Sequence, residues 1–255
     1  MPTAELDPSG TIAQWLARRF KRHYFVLVAL FCTFAAAIVF VPDLLKKFAA
    51  GTFPIAWALN IHGALMGTWL ALFFAQAILV SAGRLALHRK LGTFGIALGF
   101  VVWASMVAVE IRRKVVYPLD PDLSKNYDDD LASIYVLATF LAYFIGAIYQ
   151  RRRSPAWHKR FMVFAAFVAV QAAEQRNLWL PRFAPGYWTD AIYLDLCLLL
   201  PLVAYDYLSA KRLHPATIAA SSILIGAQGV LLLLWGSSGW RHFAYSFTVE
   251  LRSIF

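Results

Sequence analysis

Charge is scarce in this chain. Asp, Glu, Lys and Arg make up 15% of its 255 residues, against about 25% in a soluble domain. A water-soluble fold of this length needs more charge to cover its surface, so lipid is the expected solvent for most of the exterior. Cysteine is nearly absent. Cys32 and Cys197 lie in separate apolar runs without CxxC spacing, which excludes a disulfide framework and a thiolate metal site. The chain also has no P-loop, dinucleotide fingerprint, nucleophile elbow or HExxH, so no catalytic residue is assigned. Acidic residues are the scarcer sign, 14 against 24 Lys and Arg. The basic residues fall in short clusters between apolar runs, where anionic headgroups and orientation rules account for them. They form no contiguous basic face, so nucleic-acid binding is not expected.

What the chain has instead is apolar length. Hydrophobic residues reach 60%, with 20 Phe and 9 Trp. A membrane-spanning helix needs about 20 mostly apolar residues. Seven stretches meet or approach that: 24–41, 55–80, 91–111, 131–149, 161–180, 189–208 and 216–235. The fifth is the weakest, interrupted by Gln171, Glu174, Gln175 and Arg176. The expectation is one all-α membrane domain over residues 1–255, a polytopic bundle of about seven helices with an uncleaved first helix. Alternate loops hold the clusters Arg18–Arg22, Arg84–Lys90, Arg151–Arg160 and Lys211–Arg212, while Asp120, Asp122, Asp128, Asp129 and Asp130 gather on the other side. The positive-inside rule then puts the N-terminus in the cytoplasm and the tail from Gly236 outside. Six spans would return that tail to the cytoplasm. Trp179, Tyr187 and Trp188 flank outer span ends, at headgroup level.

Two connectors hint at duplication. Gly83-Arg84-Leu85-Ala86-Leu87-His88-Arg89-Lys90 and Ser154-Pro155-Ala156-Trp157-His158-Lys159-Arg160 each place a His and two basic residues just before a span. With His62-Gly63-Ala64-Leu65-Met66-Gly67, Trp69, Gln76 and Trp157–Met162, these elements resemble a family of uncharacterised bacterial polytopic membrane proteins over residues 55–173. The resemblance implies multi-pass topology in the bacterial cytoplasmic (inner) membrane, and no activity. The His88-Arg89…Gly92 element is also similar to one in ferric-reductase-like transmembrane domains, where haem-ligating histidines lie inside the following helices. Here the following helix, 93–111, contains no histidine.

Ionisable groups at membrane depth are costly and by default face a bundle interior or cavity. His62, Glu174 and Asp195 each fall six or seven residues from the outer end of a span, roughly 9–11 Å deep at 1.5 Å per residue. Gln171 is one turn deeper, and Glu110 lies at the rim. This set is a candidate pocket for a small polar solute, a proton relay or a metal ion of unknown identity. Its rival is a core histidine bonded to a neighbour, with Arg176 neutralising Glu174. His62, Trp69 and Gln76 recur every seven residues and so share one helix face. Gly63 and Gly67 form a GxxxG beside them, which permits close approach of a neighbour. Asp206 reads as interfacial.

His88 and His158 read most simply as capping or headgroup-contacting residues. The sharper reading makes them a pair for haem b or quinone, with Arg89 and Arg160 near the propionates. Three functions stay open: solute or proton pocket, haem- or quinone-linked electron transfer, and structural subunit of a membrane complex or homo-oligomer. The last is favoured if the polar residues pair only with one another.

Overall fold

The computed structural model describes residues 12–51, 57–116, 119, 125–174, 176 and 186–254, without the side chains of 13, 57, 125, 126, 174 and 186–195. Among the described residues there are eight helices and no strand: α1 Ile12–Ala49, α2 Trp57–Ser81, α3 Leu85–Val116, α4 Lys125–Gln150, α5 Pro155–Glu174, α6 Gly186–Ala210, α7 Pro215–Leu234 and α8 Ser238–Ile254. Five are long and apolar enough to cross a membrane, over Gln14–Ala49, Ala58–Ser81, Leu85–Val116, Tyr127–Gln150 and Pro215–Leu234. They coincide with the first four expected stretches and the seventh. α5 is twenty residues long but carries Lys159 and Arg160, and of α6 only Leu196–Ala210 is counted, as a shorter apolar helix.

The fifth helix starts six residues before the expected 161. Pro155 fills the first helical position, where its missing N–H is no loss, and the Ser154 carbonyl accepts from the His158 N–H at 3.0 Å. The 112–130 connection is also shorter than expected. α3 continues to Val116 and α4 starts at Lys125, so Asp128, Asp129 and Asp130 belong to the first two turns of α4, where acidic groups favour the helix dipole.

Short turns pair α2 with α3 and α4 with α5 as antiparallel hairpins. In the first, Gly83 takes φ +74°, the Gly83 N–H donates to the Val80 carbonyl and the Arg84 N–H to the Leu79 carbonyl at 2.8 Å. That bond pattern is a Schellman cap, which a glycine at this position completes without steric cost. His88 and His158 are each the fourth residue of the helix that follows the turn. Both His-containing connectors are thus turns of helical hairpins.

α5 is the axle of the bundle. Every residue from Val163 to Gln171 is buried, because α1, α4, α6 and α7 pack around it. α2 and α3 sit at the edge, with Leu59, Ile61, Phe94 and Val101 exposed. Trp69 joins the two regions, its ring against Phe73, Phe140 and Phe144. Polar atoms bond across helices to backbone: Trp103 Nε1 donates to the Leu137 carbonyl at 3.1 Å and the Tyr143 hydroxyl to the Ala220 carbonyl at 2.8 Å. In lipid such bonds and close packing replace the hydrophobic drive between helices.

The tightest approach is at Gly99, where an added methyl would lie 2.1 Å from the Phe144 ring. Phe144 is 2% exposed and wedged by Trp69, Phe100 and Phe140, so it has nowhere to move. Gly99→Ala is expected to destabilise the detergent-solubilised protein by about 1–3 kcal/mol through overpacking. Gly67→Ala, with no atom within 4 Å of the added methyl, is expected to leave the thermal midpoint unchanged or raised. A melting comparison of the two variants checks the contrast.

Candidate functional site

The loops at 82–84, 151–154 and 211–214 share one end of the bundle, here called the basic end. Asp206 is the one carboxylate described there. The opposite end holds Glu110, Asp128 and Asp130.

On α2, the face expected from His62, Trp69 and Gln76 is real, and it faces α3. His62 Nδ1 shares a hydrogen bond with the Ser105 hydroxyl at 2.9 Å. Seven residues on, Trp69 fills the packed middle. Gln76 closes the basic end: with its oxygen accepting from the Gly92 N–H at 3.1 Å, its nitrogen faces the His88 carbonyl at 3.1 Å and the His88 Nδ1. The His88 ring also bonds the Gln76 main chain. The stripe therefore zips one hairpin shut.

His158 does the same in the second hairpin, its Nδ1–H donating to the Ala147 carbonyl at 2.9 Å. Each histidine thus reaches back to the last turns of the helix before it.

Glu110 is tied up at the opposite end. Its carboxylate accepts from Arg113 at 2.9 Å and from the Ser133 hydroxyl at 3.0 Å, while Arg113 and Lys114 both pair with Asp130. Gln171 is sealed within α5 at 1% exposure. The side chains of Glu174 and Asp195 lie outside the described residues, as do Asp120, Asp122, Trp179 and the side chains of Tyr187 and Trp188. The structure thus brings His62 and Glu110 to one end of the α2–α3 pair and puts Gln171 on a different helix pair. Among the described residues no three His, Cys, Asp or Glu side chains form a cluster that could hold a metal ion.

Asp206, expected at the interface, lies at the basic end and is enclosed by protein. It is 1% exposed, and Arg160 is 4% exposed. Arg160 donates to Asp206, to the Thr217 hydroxyl at 3.0 Å and to the Ala156 carbonyl at 2.9 Å. The second Asp206 oxygen accepts from Thr217 at 2.5 Å and from the His214 N–H at 2.9 Å. The cluster joins α5, α6 and α7. Arg160 spends its donors here, while Arg89 is exposed. Beside it, Lys159 donates to the Tyr205 hydroxyl at 2.9 Å and lies over the Phe25 ring. No sequence spacing marks this cluster, because its members come from three helices up to 57 residues apart.

Comparison with known proteins finds no matching family model, curated protein or solved structure. The chemistry of the site therefore rests on the residues themselves.

Removing one partner from the buried pair leaves a charge stranded. Asp206→Ala is expected to cost about 3–5 kcal/mol. The double variant Arg160→Met with Asp206→Leu should recover much of that, and unfolding in detergent measures both. A second outcome concerns pH. His214 caps α7 through Nδ1, which accepts from the Ala216 N–H at 3.0 Å and must be unprotonated to do so. Burial, then the cations Arg160, Lys159 and Arg212, hold its pKa below the ordinary 6.5, with Asp206 opposing them. The fold prefers neutral His214, so its contribution is complete above that value and is lost as pH falls through the lower folded value. Melting temperature should drop on acidification below about pH 6.5, with a shallower slope in His214→Asn, which keeps a capping oxygen.

Proposed function

We propose that the chain is a structural subunit of a membrane complex: a multi-pass bundle of a bacterial cytoplasmic membrane, basic end toward the cytoplasm. The observation that carries this is where the polar side chains go. Every candidate residue with a described side-chain bond spends it on a neighbouring helix or turn of its own chain: His62 on Ser105, Glu110 on Arg113 and Ser133, His88 on Gln76, His158 on Ala147, and Arg160 on Asp206 and Thr217. Groups so committed hold helices together. The small-residue face of α2 gives a partner somewhere to pack, since Gly63 and Gly67 have open space where a side chain would be. The basic loops support the orientation.

A second reading rests on His158. Its Nδ1 is fixed by a carbonyl, which leaves Nε2 as a lone pair, and this is how a protein prepares a ligand histidine. With His88 at the same end of the bundle, the pair would serve as axial ligands to haem b or receive a quinol hydroxyl.

One purified sample separates the two. The structural reading expects a colourless, quinone-free preparation in mild detergent, with a mass above the monomer. Gly67→Leu should return it to monomer without lowering its melting point. A Soret band, or an extractable quinone, lost in His88→Ala and His158→Ala would replace it with the redox reading.

A further inference from the structure

The tail after α7 forms α8, and α8 has a face that the bundle does not cover. Its position is fixed at two points. Near its start, Arg241 pairs with Asp128, the Trp240 Nε1 donates to the Tyr127 carbonyl at 2.7 Å, and the Gly236 N–H donates to Asp128 at 3.1 Å. Near its end, Arg252 Nε donates to the Lys114 carbonyl at 2.8 Å. The first anchor is on the opening turn of α4 and the second on the closing turn of α3. Eleven residues of helix separate them, about 16 Å at 1.5 Å per residue. A helix pinned to the ends of two spans in this way runs across those ends. It does not extend along the bundle axis.

Ala244 and Thr248 face the bundle and are buried. On an adjacent face Phe243, Phe247 and Ile254 are 61%, 54% and 71% exposed, with the two phenyl rings stacked, and exposed Glu250 borders the same strip on its polar side, one turn from Phe247 and Ile254. His242, Ser246 and Ser253 form a third, mostly polar face, also exposed, which Val249 shares at 42% exposure. Three residues separate α8 from the end of α7, which is also apolar and exposed, with Leu232 and Leu233 at 54% and 82% exposure. Because α7 is long and apolar enough to cross a membrane, a strip that follows its end so closely has acyl chains beside it, and this identifies the occupant as lipid.

We infer that α8 lies in the membrane plane at the end opposite the basic loops, with Phe243 and Phe247 inserted among acyl chains and Ser246 and Ser253 in water. The inference needs the spans to be embedded and goes beyond any role in assembly.

Spin labels on single cysteines test it in proteoliposomes, in a Cys197→Ala background, since Cys197 is exposed and Cys32 buried. Collision with dissolved oxygen and with a water-soluble nickel chelate reports depth. Labels at Phe243→Cys and Phe247→Cys should favour oxygen several-fold over labels at Ser246→Cys and Ser253→Cys. All four positions are exposed, so labelling leaves the fold intact. Leu233→Cys is the reference. If it reports lipid while positions 243 and 247 report water, α8 is not interfacial and the inference fails, with the spans unaffected. If Leu233→Cys also reports water, the membrane embedding itself fails. Spin–spin broadening at 243 and 247 would put a second copy there, and would likewise overturn the inference.

Discussion

Enclosure of α5 on all sides is the constraint that the other helices answer to. Lipid tails are as apolar as leucine, so helices gain nothing by hiding apolar surface from them. They associate through dense packing and through polar bonds that lipid cannot offer. α5 supplies both. Ala165, Ala166, Ala169 and Ala173 let α1, α4, α6 and α7 approach closely, and Phe164 and Phe167 fill the gaps between them. Having no lipid face, α5 can carry Arg160 and Gln171 where a peripheral helix could not. The same enclosure explains why the least apolar candidate span is the most buried one.

Polarity is distributed by depth. The middle of the bundle is dry and aromatic around Trp69, Phe140, Phe144 and Phe164, all within 2% exposure. Among the described side chains the charges are confined to the two ends, and each end is closed by a different device. At the basic end, one buried carboxylate, Asp206, binds Arg160, Thr217 and the His214 backbone and so fixes three helices at once. At the other end Asp128 and Asp130 draw in Arg113, Lys114 and Arg241, which ties α3, α4 and α8 together. A buried pair of this kind is weak evidence of stability, but removing either partner is costly. The ends therefore specify which helices meet more than they add to the total free energy.

Much of this was legible in sequence, for reasons that can be named. The class and five of the spans follow from apolar run length alone. The seven-residue recurrence of His62, Trp69 and Gln76 correctly identified one helix face, since helical periodicity is a local property. What that face meets is not local. Spacing could not tell a pocket from the seam with α3, and Ser105 carries no motif. The duplicated His-containing connectors were readable because each lies within one short turn. The ion pair of Asp206 was not readable, because its partner Arg160 lies 46 residues away. α8 was missed because a 17-residue amphipathic helix has no long apolar run, and its anchors join residues 113 and 138 apart.

The choice between scaffold and ligand site turns on what an empty site costs in this solvent. A binding pocket must hold donors and acceptors in readiness, and in a low-dielectric interior each unmet polar group costs several kcal/mol. Enzymes and carriers accept that cost where the ligand repays it. Here the carboxylate of Glu110 and the guanidinium of Arg160 have each been given a partner from a neighbouring helix or turn, so a ligand would first have to displace a bond already made. The histidines differ in kind, because a ring nitrogen fixed on one side leaves the other oriented, as in His158 on the Ala147 carbonyl and His62 on Ser105. A ligand could meet that second nitrogen without breaking the bond that holds the ring, so among the described side chains these imidazoles are where binding costs least.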